Sequence, residues 1–208
     1  MLMRAKSSST KQERSFTEER RRAQIVDAAI DTIVELGYAK TSFGQIAKRA
    51  GLSSTGMISY HFRSKAELMR QVVSDVYAVA LEVVGSRIDQ AGDPPAQLRA
   101  FIEGSVDFYR THHRHMRALT EVWLGSRGED EGTAPPHQQE LESLEEMFRE
   151  GQRTGDFRDF SPRVMAVALR HALDGVALHL GADPDSDPDV CARELVTLFD
   201  LATRAESR

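Results

Sequence analysis

The chain has 208 residues, of which 40% are hydrophobic, and a formal net charge of −5 at pH 7. This length suits one domain with a sizeable core, or a small domain joined to a larger one. The single cysteine, Cys191, excludes an intrachain disulfide, and its helical setting favours a small core or interface residue over a redox sensor. The N-terminus has neither the apolar core of a signal peptide nor a transmembrane run, so we expect a cytoplasmic protein.

The charge is divided unevenly along the chain. Residues 1–70 hold 13 Lys and Arg against 7 Asp and Glu, a net charge of +6. Residues 71–208 hold 14 against 25, a net charge of −11, and every lysine lies at or before Lys65. A basic head on an acidic body predicts that one end of the protein binds a polyanion such as DNA.

Residues 1–16 are rich in Ser, Lys and Arg and are predicted to form a disordered basic arm. Its basic side chains, Arg4, Lys6, Lys11 and Arg14, either reach the minor groove of DNA or only keep the segment solvated. Helix one is expected from about Thr17, with a buried stripe of Ile25, Ala29, Ile33 and Leu36. Near its start, the consecutive Arg20, Arg21 and Arg22 are candidates for contact with the DNA backbone.

Residues 42–62 carry the signals of a helix-turn-helix. Ser42 and Gln45 fit a capping box, which predicts that a helix starts here. Gly51 stands where a left-handed residue commonly ends a helix. Ser53 is a good N-cap for a second helix, expected to end at about Phe62. A second capping box, Ser64 to Glu67, opens a third helix.

Small side chains with hydroxyl groups dominate the start of the second helix, and they let its backbone approach the wall of a major groove. Backbone N–H groups at the nearby helix starts favour phosphate oxygens. The predicted DNA-binding residues are Thr41, Ser42, Ser53, Ser54, Thr55, Gly56, Ser59, Tyr60, His61 and Lys65. The alternative is that the serines and threonines form a solvated cap and that His61 is an ordinary surface histidine.

This part of the chain resembles the DNA-binding domain of the TetR family of transcriptional regulators. The matching elements are Ile25-Val26-Asp27-Ala28-Ala29, Gly37-Tyr38, Thr41-Ser42, Ile46-Ala47, Ala50-Gly51-Leu52-Ser53, Gly56, His61-Phe62, Ser64-Lys65 and Leu68. Most family members have one residue fewer between the positions of Ser53 and Gly56, and their usual aromatic residue falls on Ser59, beside Tyr60. The recognition helix therefore starts differently, and base contacts transferred from the family are fixed only to within one position in this chain.

The remaining pattern is helical throughout, with about nine helices and no strand pattern. Helix four is expected from Lys65 to about Gln90, helix six from about His113 to Leu124, and a polar loop at 126–136. Prolines mark three further helix starts, at Asp93-Pro94-Pro95, Ser161-Pro162 and Asp187-Pro188. We predict an all-α protein with a three-helix DNA-binding domain at 17–64 and a larger effector-binding and dimerisation domain at 65–208.

Helices eight and nine have apolar faces wider than one small core needs. They predict a four-helix bundle with a second subunit, which the family resemblance also implies, and packing within one chain is the alternative. The predicted dimer interface consists of Met165, Leu169, Leu173, Val176, Leu180, Leu195, Leu198, Phe199 and Ala202.

Large apolar side chains with a few polar groups between helices five and eight predict a pocket for a small molecule. The predicted effector pocket consists of Phe101, Ser105, Phe108, Tyr109, Met116, Trp123, Met147, Phe148 and His171. The alternative is that aromatic and Met residues at helical spacing form an ordinary core.

Neither a metal site nor an enzyme is predicted. His112, His113 and His115 invite a metal interpretation, but the arginines around them repel a divalent cation, and no metal or other cofactor is expected. The sequence has no GxSxG elbow, HExxH motif, P-loop or dinucleotide fingerprint.

Together these patterns predict a homodimeric repressor that binds a palindromic operator on double-stranded DNA. A small apolar or amphipathic effector is expected to release it, with helix four transmitting the change. Three alternatives stay open: an activator, a regulator whose body docks a protein partner instead of a small ligand, and a helical enzyme or metal carrier built on the acidic body.

Overall fold

A computed structural model describes residues 5–126, 137–183 and 185–205, with the side chains of residues 5–15 and 137 left out. Its helices are α1 (Ala5–Leu36), α2 (Phe43–Arg49), α3 (Gly56–His61), α4 (Lys65–Asp89), α5 (Pro94–Thr111), α6 (His113–Gly125), α7 (His137–Thr154), α8 (Pro162–Ala182) and α9 (Pro188–Thr203). Within these ranges the only β contact is an isolated bridge between Phe157 and Arg204. The predicted all-α fold is confirmed, and the loop expected at 126–136 lies outside the described residues except for Ser126.

The three helix starts predicted from prolines are confirmed by their caps. The side chain of Asp93 accepts a hydrogen bond from the Ala96 N–H at 2.8 Å, and a proline opens α5. Ser161 caps α8 and Asp187 caps α9 in the same way, each with a proline directly after it. A proline is tolerated in the first turn because its missing N–H has no partner within the helix.

Helix α1 begins well before the predicted start near Thr17. Residues 5–16 of the predicted disordered arm are helical, since no Gly or Pro interrupts the chain between Ala5 and Leu36. Arg4 and the side chains of Lys6, Lys11 and Arg14 lie outside the described part, so their contact with DNA stays a prediction. The helix ends at Leu36, and Gly37 directly after it has a φ of 79°, which glycine adopts without steric cost.

The described residues fall into two units. The first unit holds residues 5–72 and 121–126, so it includes the start of α4 and the end of α6. The predicted boundary lies earlier, after residue 64. The difference arises because the start of α4 is buried in the core of the first unit. Its side chains Leu68, Met69 and Val72 are each at most 1% exposed. That core also includes Ile25, Ile33, Ile46, Ile58 and Phe62.

The second unit holds residues 73–120, 137–183 and 185–205. Helix α5 is its centre and packs against α7, α8 and α9, while α7 also packs against α8. The predicted inner face of α5 is confirmed as buried: Leu98, Phe101, Ile102, Ser105, Phe108 and Tyr109. The connection between α7 and α8 is tied to the end of α9 by backbone hydrogen bonds, among them Arg158 N–H to Thr203 O at 2.9 Å.

Candidate nucleic-acid interface

The caps of α2 match the prediction. Ser42 has an extended backbone, and its Oγ accepts a hydrogen bond from the Gln45 N–H at 3.4 Å. At the other end Gly51 has φ 65°, and the Leu52 N–H donates to Ala47 O at 2.9 Å. This Schellman motif ends the helix sharply and sends the chain back toward the core.

Helix α3 starts later than predicted. It begins at Gly56 with Thr55 at its N-cap, and no side chain caps it, so the prediction of Ser53 as N-cap was wrong. Residues 53–55 form the turn between the Schellman motif of α2, which ends at Leu52, and the start of α3. Ile58 and Phe62, one helical turn apart, are both fully buried and fix which side of α3 faces out.

Most predicted DNA-binding residues lie on the surface of the first unit. The exposed ones are Ser42, Ser53, Ser54, Thr55, Gly56, Ser59 and Tyr60, while His61 and Lys65 are half-buried. Thr41 differs, because it is 2% exposed and its hydroxyl donates to Gly37 O at 2.9 Å. Its side chain is committed to the fold, so we leave it out of the proposed interface.

Lys65 has an internal role that the sequence did not indicate. Its ammonium donates to Tyr38 O at 2.7 Å and lies 4.0 Å from the centroid of the Tyr38 ring. The Tyr38 N–H in turn donates to the carboxylate of Glu121, near the end of α6, at 3.2 Å. Tyr38 lies in the turn before α2. The side chains of Lys65 and Glu121, which bind its backbone, therefore fix the start of the helix-turn-helix.

The second predicted capping box is confirmed with one change of partner. The Glu67 N–H donates to Ser64 Oγ at 3.1 Å, as expected. The carboxylate of Glu67 accepts from the Arg63 N–H at 2.8 Å and not from Ser64. The start of α4 is therefore fixed beside the exposed side chain of Arg63.

Two exposed glycines near helix starts leave room for close approach by another molecule. Gly44 is the second residue of α2, and Gly56 is the first of α3. A methyl group on either would meet only one serine Oγ, at 3.8 Å for Gly44 and 3.4 Å for Gly56, and neither has a positive φ. Since glycine is unfavourable in helices and nothing inside the fold requires it here, a nearby groove wall would explain both. Gly44 was not among the predicted contacts.

We expect Gly56→Ala to weaken binding to the preferred operator by about tenfold, a moderate overpacking penalty. The free energy of unfolding should stay the same or rise by up to ~1 kcal/mol, because alanine favours the helix. Fluorescence anisotropy with labelled duplexes and urea unfolding measure the two effects. Gly92→Ala, with no atom within 4 Å of the added methyl, is the matched control. Unchanged operator affinity in Gly56→Ala would contradict the close approach.

Family comparisons agree with this geometry. A family model described as bacterial regulatory proteins, tetR family, matches residues 25–72. A second, described as the tetracyclin repressor-like C-terminal domain, matches residues 91–199, about half of the chain. The chain belongs to the TetR family. It is therefore a helix-turn-helix DNA-binding regulator of transcription and not an enzyme.

Individual relatives support this assignment. The HTH-type transcriptional regulator BetI of Cronobacter sakazakii is 29% identical over 188 residues, which cover 86% of this chain and 88% of the relative. BetI of Stenotrophomonas maltophilia is 34% identical over 142 residues, covering 68% of this chain and 64% of the relative. This second match thus spans less than two thirds of that relative's length.

Solved structures share the fold of this TetR-family chain. The fatty acid degradation regulator FadR from Bacillus halodurans has a TM-score of 0.74 at 21% identity, covering 86% of this chain and 94% of that one. AibR in complex with isovaleryl coenzyme A and operator DNA has a TM-score of 0.66 at 20% identity, covering 86% and 97%. At this identity the likeness concerns the fold alone.

The predicted effector-pocket residues of the TetR-family body are only partly brought together. Phe101, Ser105, Phe108, Tyr109 and Phe148 are buried, and Met116 and Met147 are half-buried. His171 is exposed, and Trp123 is 44% exposed and lies in the first unit, so neither is part of that core. A small cleft beside α5 and α9 has other walls: Pro95, Leu98, Arg99, Ile102, Phe157, Val196, Asp200 and Thr203. Among the described residues no cluster of His, Cys, Asp and Glu could hold a metal.

A buried arginine that the sequence analysis missed lies beside this core. Arg170 is 7% exposed, and its guanidinium binds Glu140 at 2.9 Å, the Tyr109 hydroxyl at 2.8 Å and Asp174 at 3.0 Å. Its Nε–H has no acceptor within the described part of the chain. Burial alone would lower the pKa of the guanidinium, but Tyr109, Glu140 and Asp174 outweigh it and raise that pKa.

Tyr77 of α4 is within electrostatic range of these groups, since the charges of Arg170, Glu140 and Asp174 act on the pKa of its phenol. Burial raises the pKa of its phenol, and the positive charge of Arg170 offsets part of that rise. We call Tyr77, Tyr109, Glu140, Arg170 and Asp174 the Arg170 cluster. The only sequence signal for it was an i,i+4 pair of opposite charges, Arg170 and Asp174, inside a mostly apolar helix.

The predicted dimer residues divide into two groups. Leu169, Leu173, Leu195 and Phe199 are buried inside the chain, so packing within one subunit accounts for them. Met165, Val176, Leu180 and Ala202 are half-buried, and Leu198 is 56% exposed. Other exposed apolar side chains on these two helices were not predicted: Val164, Leu178, Val190 and Leu201. We call these four side chains and Leu198, the exposed large apolar side chains of the two helices, the α8–α9 outer face.

Among the described residues, helix α8 is also long and apolar enough to cross a membrane by length and composition. One such helix is weak support for a membrane span, because helices in the cores of soluble proteins can have the same length and composition. The Arg170 cluster places two charged groups near its middle, which suits packing inside a protein better than contact with lipid.

Proposed function

We propose that the protein is an effector-controlled repressor that binds a palindromic operator as a homodimer in the cytoplasm. The observation that carries this proposal is the α8–α9 outer face. Its five large apolar side chains are 41% to 66% exposed in the single chain. An apolar face of this kind favours association, and a two-fold axis would place two copies of each helix in one bundle.

The dimer gives the helix-turn-helix its specificity. One recognition helix touches few base pairs, whereas two in successive major grooves, about 34 Å apart, read a palindrome. The proposed contacts are the exposed Ser53, Ser54, Thr55, Ser59 and Tyr60, with Gly44 and Gly56 allowing close approach. Exposed Lys40, Lys48 and Arg63 supply the positive charge for phosphates.

The Arg170 cluster supports an effector site in the body. A buried N–H without an acceptor costs free energy, and a ligand oxygen that accepts from Arg170 Nε would recover it. The buried rings of Phe101, Phe108 and Phe148 would cover an apolar ligand body. The effector is accordingly an amphipathic small molecule with a polar end.

Helix α4 is the proposed route of transmission. It runs without a break from Lys65, which holds Tyr38 before the helix-turn-helix, to Asp89. Tyr77, midway along it, belongs to the Arg170 cluster. A ligand that changes this cluster would shift α4 between two positions in proportion to its differential affinity for them.

To test this, the wild-type protein selects duplexes from a random pool, and footprinting maps which bases of the most tightly bound duplex it protects. We expect a palindrome with two protected half-sites and one dimer per duplex, measured by light scattering. Amphipathic compounds are then screened for release of that duplex. A single half-site bound by a monomer would contradict the dimeric operator complex. Release by a protein partner alone would contradict the small-molecule effector.

A further inference from the structure

Arg22 of α1 connects its own helix to α3 and α4 within the first unit. Its Nη1–H donates to the backbone oxygen of His61, the last residue of α3, at 3.1 Å. Its Nη2–H donates to Gln71 Oε1 on α4 at 2.6 Å. The guanidinium carbon lies 4.4 Å from the centroid of the Phe62 ring. One half-buried side chain thus holds the end of α3 to both α1 and α4.

Helix α3 needs such support because it has only six residues. A helix this short is not stable alone, and its last carbonyl groups have no partners within the helix. A cation at this end also interacts favourably with the negative end of the helix dipole. The planar guanidinium fork can serve a carbonyl, an amide oxygen and a ring face at once, which a lysine ammonium cannot.

The same helix also holds the end of α2. Gln24 Nε2–H donates to Ala50 O, at the C-cap of α2, at 2.8 Å. Arg21 donates to the amide oxygen of Gln24 at 2.7 Å and so orients it. Two neighbouring side chains of α1 therefore fix the C-terminal ends of both helices of the motif.

We propose that Arg22 is a positioning residue for operator recognition, setting the register of α3 for the bases, and that it makes no phosphate contact. The inference rests on the proposed function of α3 as the operator reader. It differs from the expectation in the sequence, which made Arg20, Arg21 and Arg22 candidates for contact with the DNA backbone. The guanidinium of Arg22 contacts groups inside the fold, whereas the side chain of Arg20 is exposed and lies against Phe16 of its own helix.

The experiment compares Arg22→Lys with Arg20→Lys as the matched control. Both changes keep the positive charge, but only the first removes the fork at His61 O and Gln71. Affinity is measured by fluorescence anisotropy for the duplex that the wild type selects and for a random duplex, each over a range of salt concentrations. Thermal unfolding is followed by circular dichroism.

For Arg22→Lys we expect the ratio of operator to random affinity to fall by about tenfold, the effect of losing one charged hydrogen bond. Affinity for random DNA and its salt dependence should match those of the wild type. Arg20→Lys should leave the ratio unchanged.

Three outcomes would overturn the proposal. An equal loss on both duplexes would make Arg22 a phosphate contact, and unchanged binding to both would give it no role in recognition. A lower melting temperature with an unchanged ratio would make it only a stabilising residue. Failure of the wild type to select any duplex is a separate result, which counts against the proposed function itself.

A second variant tests the link to α4. Gln71→Met removes the acceptor for Arg22 Nη2, so it should lower the affinity ratio in the same direction by a smaller factor. The double variant Arg22→Lys/Gln71→Met should lose little more than Arg22→Lys alone, because both changes remove one shared interaction. Fully additive losses would contradict positioning through α4.

Discussion

Replacing Leu198 with glutamate is expected to convert the proposed dimer into monomers and to abolish operator binding. Leu198 is 56% exposed in the single chain and lies on the α8–α9 outer face. In the proposed dimer it would be buried, and an unpaired buried carboxylate costs several kcal/mol. A two-fold interface contains each replacement twice, so the total is on the order of 6 kcal/mol, or about 10⁴-fold in the dimer dissociation constant.

Sedimentation equilibrium over a range of concentrations measures this change, and anisotropy measures its effect on the operator. Leu81→Glu is the matched control, because Leu81 is an apolar residue of α4 that is 67% exposed and lies outside the outer face. It should remain dimeric and bind DNA as the wild type does. If Leu198→Glu also stays dimeric, the proposed interface is wrong.

Helices α8 and α9 show how much of the fold could be predicted from the sequence. Helical periodicity correctly predicted α8 and α9 and their apolar character. Both sides of α8 are apolar, however, with Leu169 and Leu173 inside and Val164 and Leu178 outside. Periodicity therefore could not tell the buried side of each helix from the exposed one, and the predicted interface contains both buried and exposed side chains.

Local signals were the most reliable part of the prediction. Caps and turns depend on residues close in sequence, and Ser42, Gly51 and Asp93 were all assigned correctly. The start of α3 was missed because an irregular turn separates Leu52 from Gly56, and such a turn has no strong propensity. The roles of Lys65 and Arg22 depend on partners 27 and 39 residues away, which no local pattern reveals.

Replacing Arg170 with methionine is expected to lower the free energy of unfolding by about 3 kcal/mol, the lower end of the range for breaking a buried ion pair. The lower end applies because Glu140 and Asp174 keep 23% and 38% side-chain exposure, so water partly stabilises their charges. Methionine fills a similar volume, which keeps any cavity small.

Urea unfolding followed by circular dichroism gives the stability. Arg153→Met is the matched control, because Arg153 pairs with Glu150 on the surface of α7, with side chains 72% and 44% exposed. Water screens exposed pairs of this kind, so the control should unfold at nearly the same urea concentration as the wild type. Equal effects of the two changes would mean that burial adds nothing to the Arg170 cluster.

A triple variant separates stability from function in the Arg170 cluster. Arg170→Met combined with Glu140→Gln and Asp174→Asn removes all three charges, so no charged group remains without its partner. We expect it to recover most of the stability lost in Arg170→Met, because the single change mainly leaves carboxylates unpaired. If the cluster binds the effector, the triple variant should fold, dimerise and bind the operator while an amphipathic ligand no longer releases it. A triple variant that still responds to the ligand would reduce the cluster to a structural feature and move the effector site elsewhere in the body.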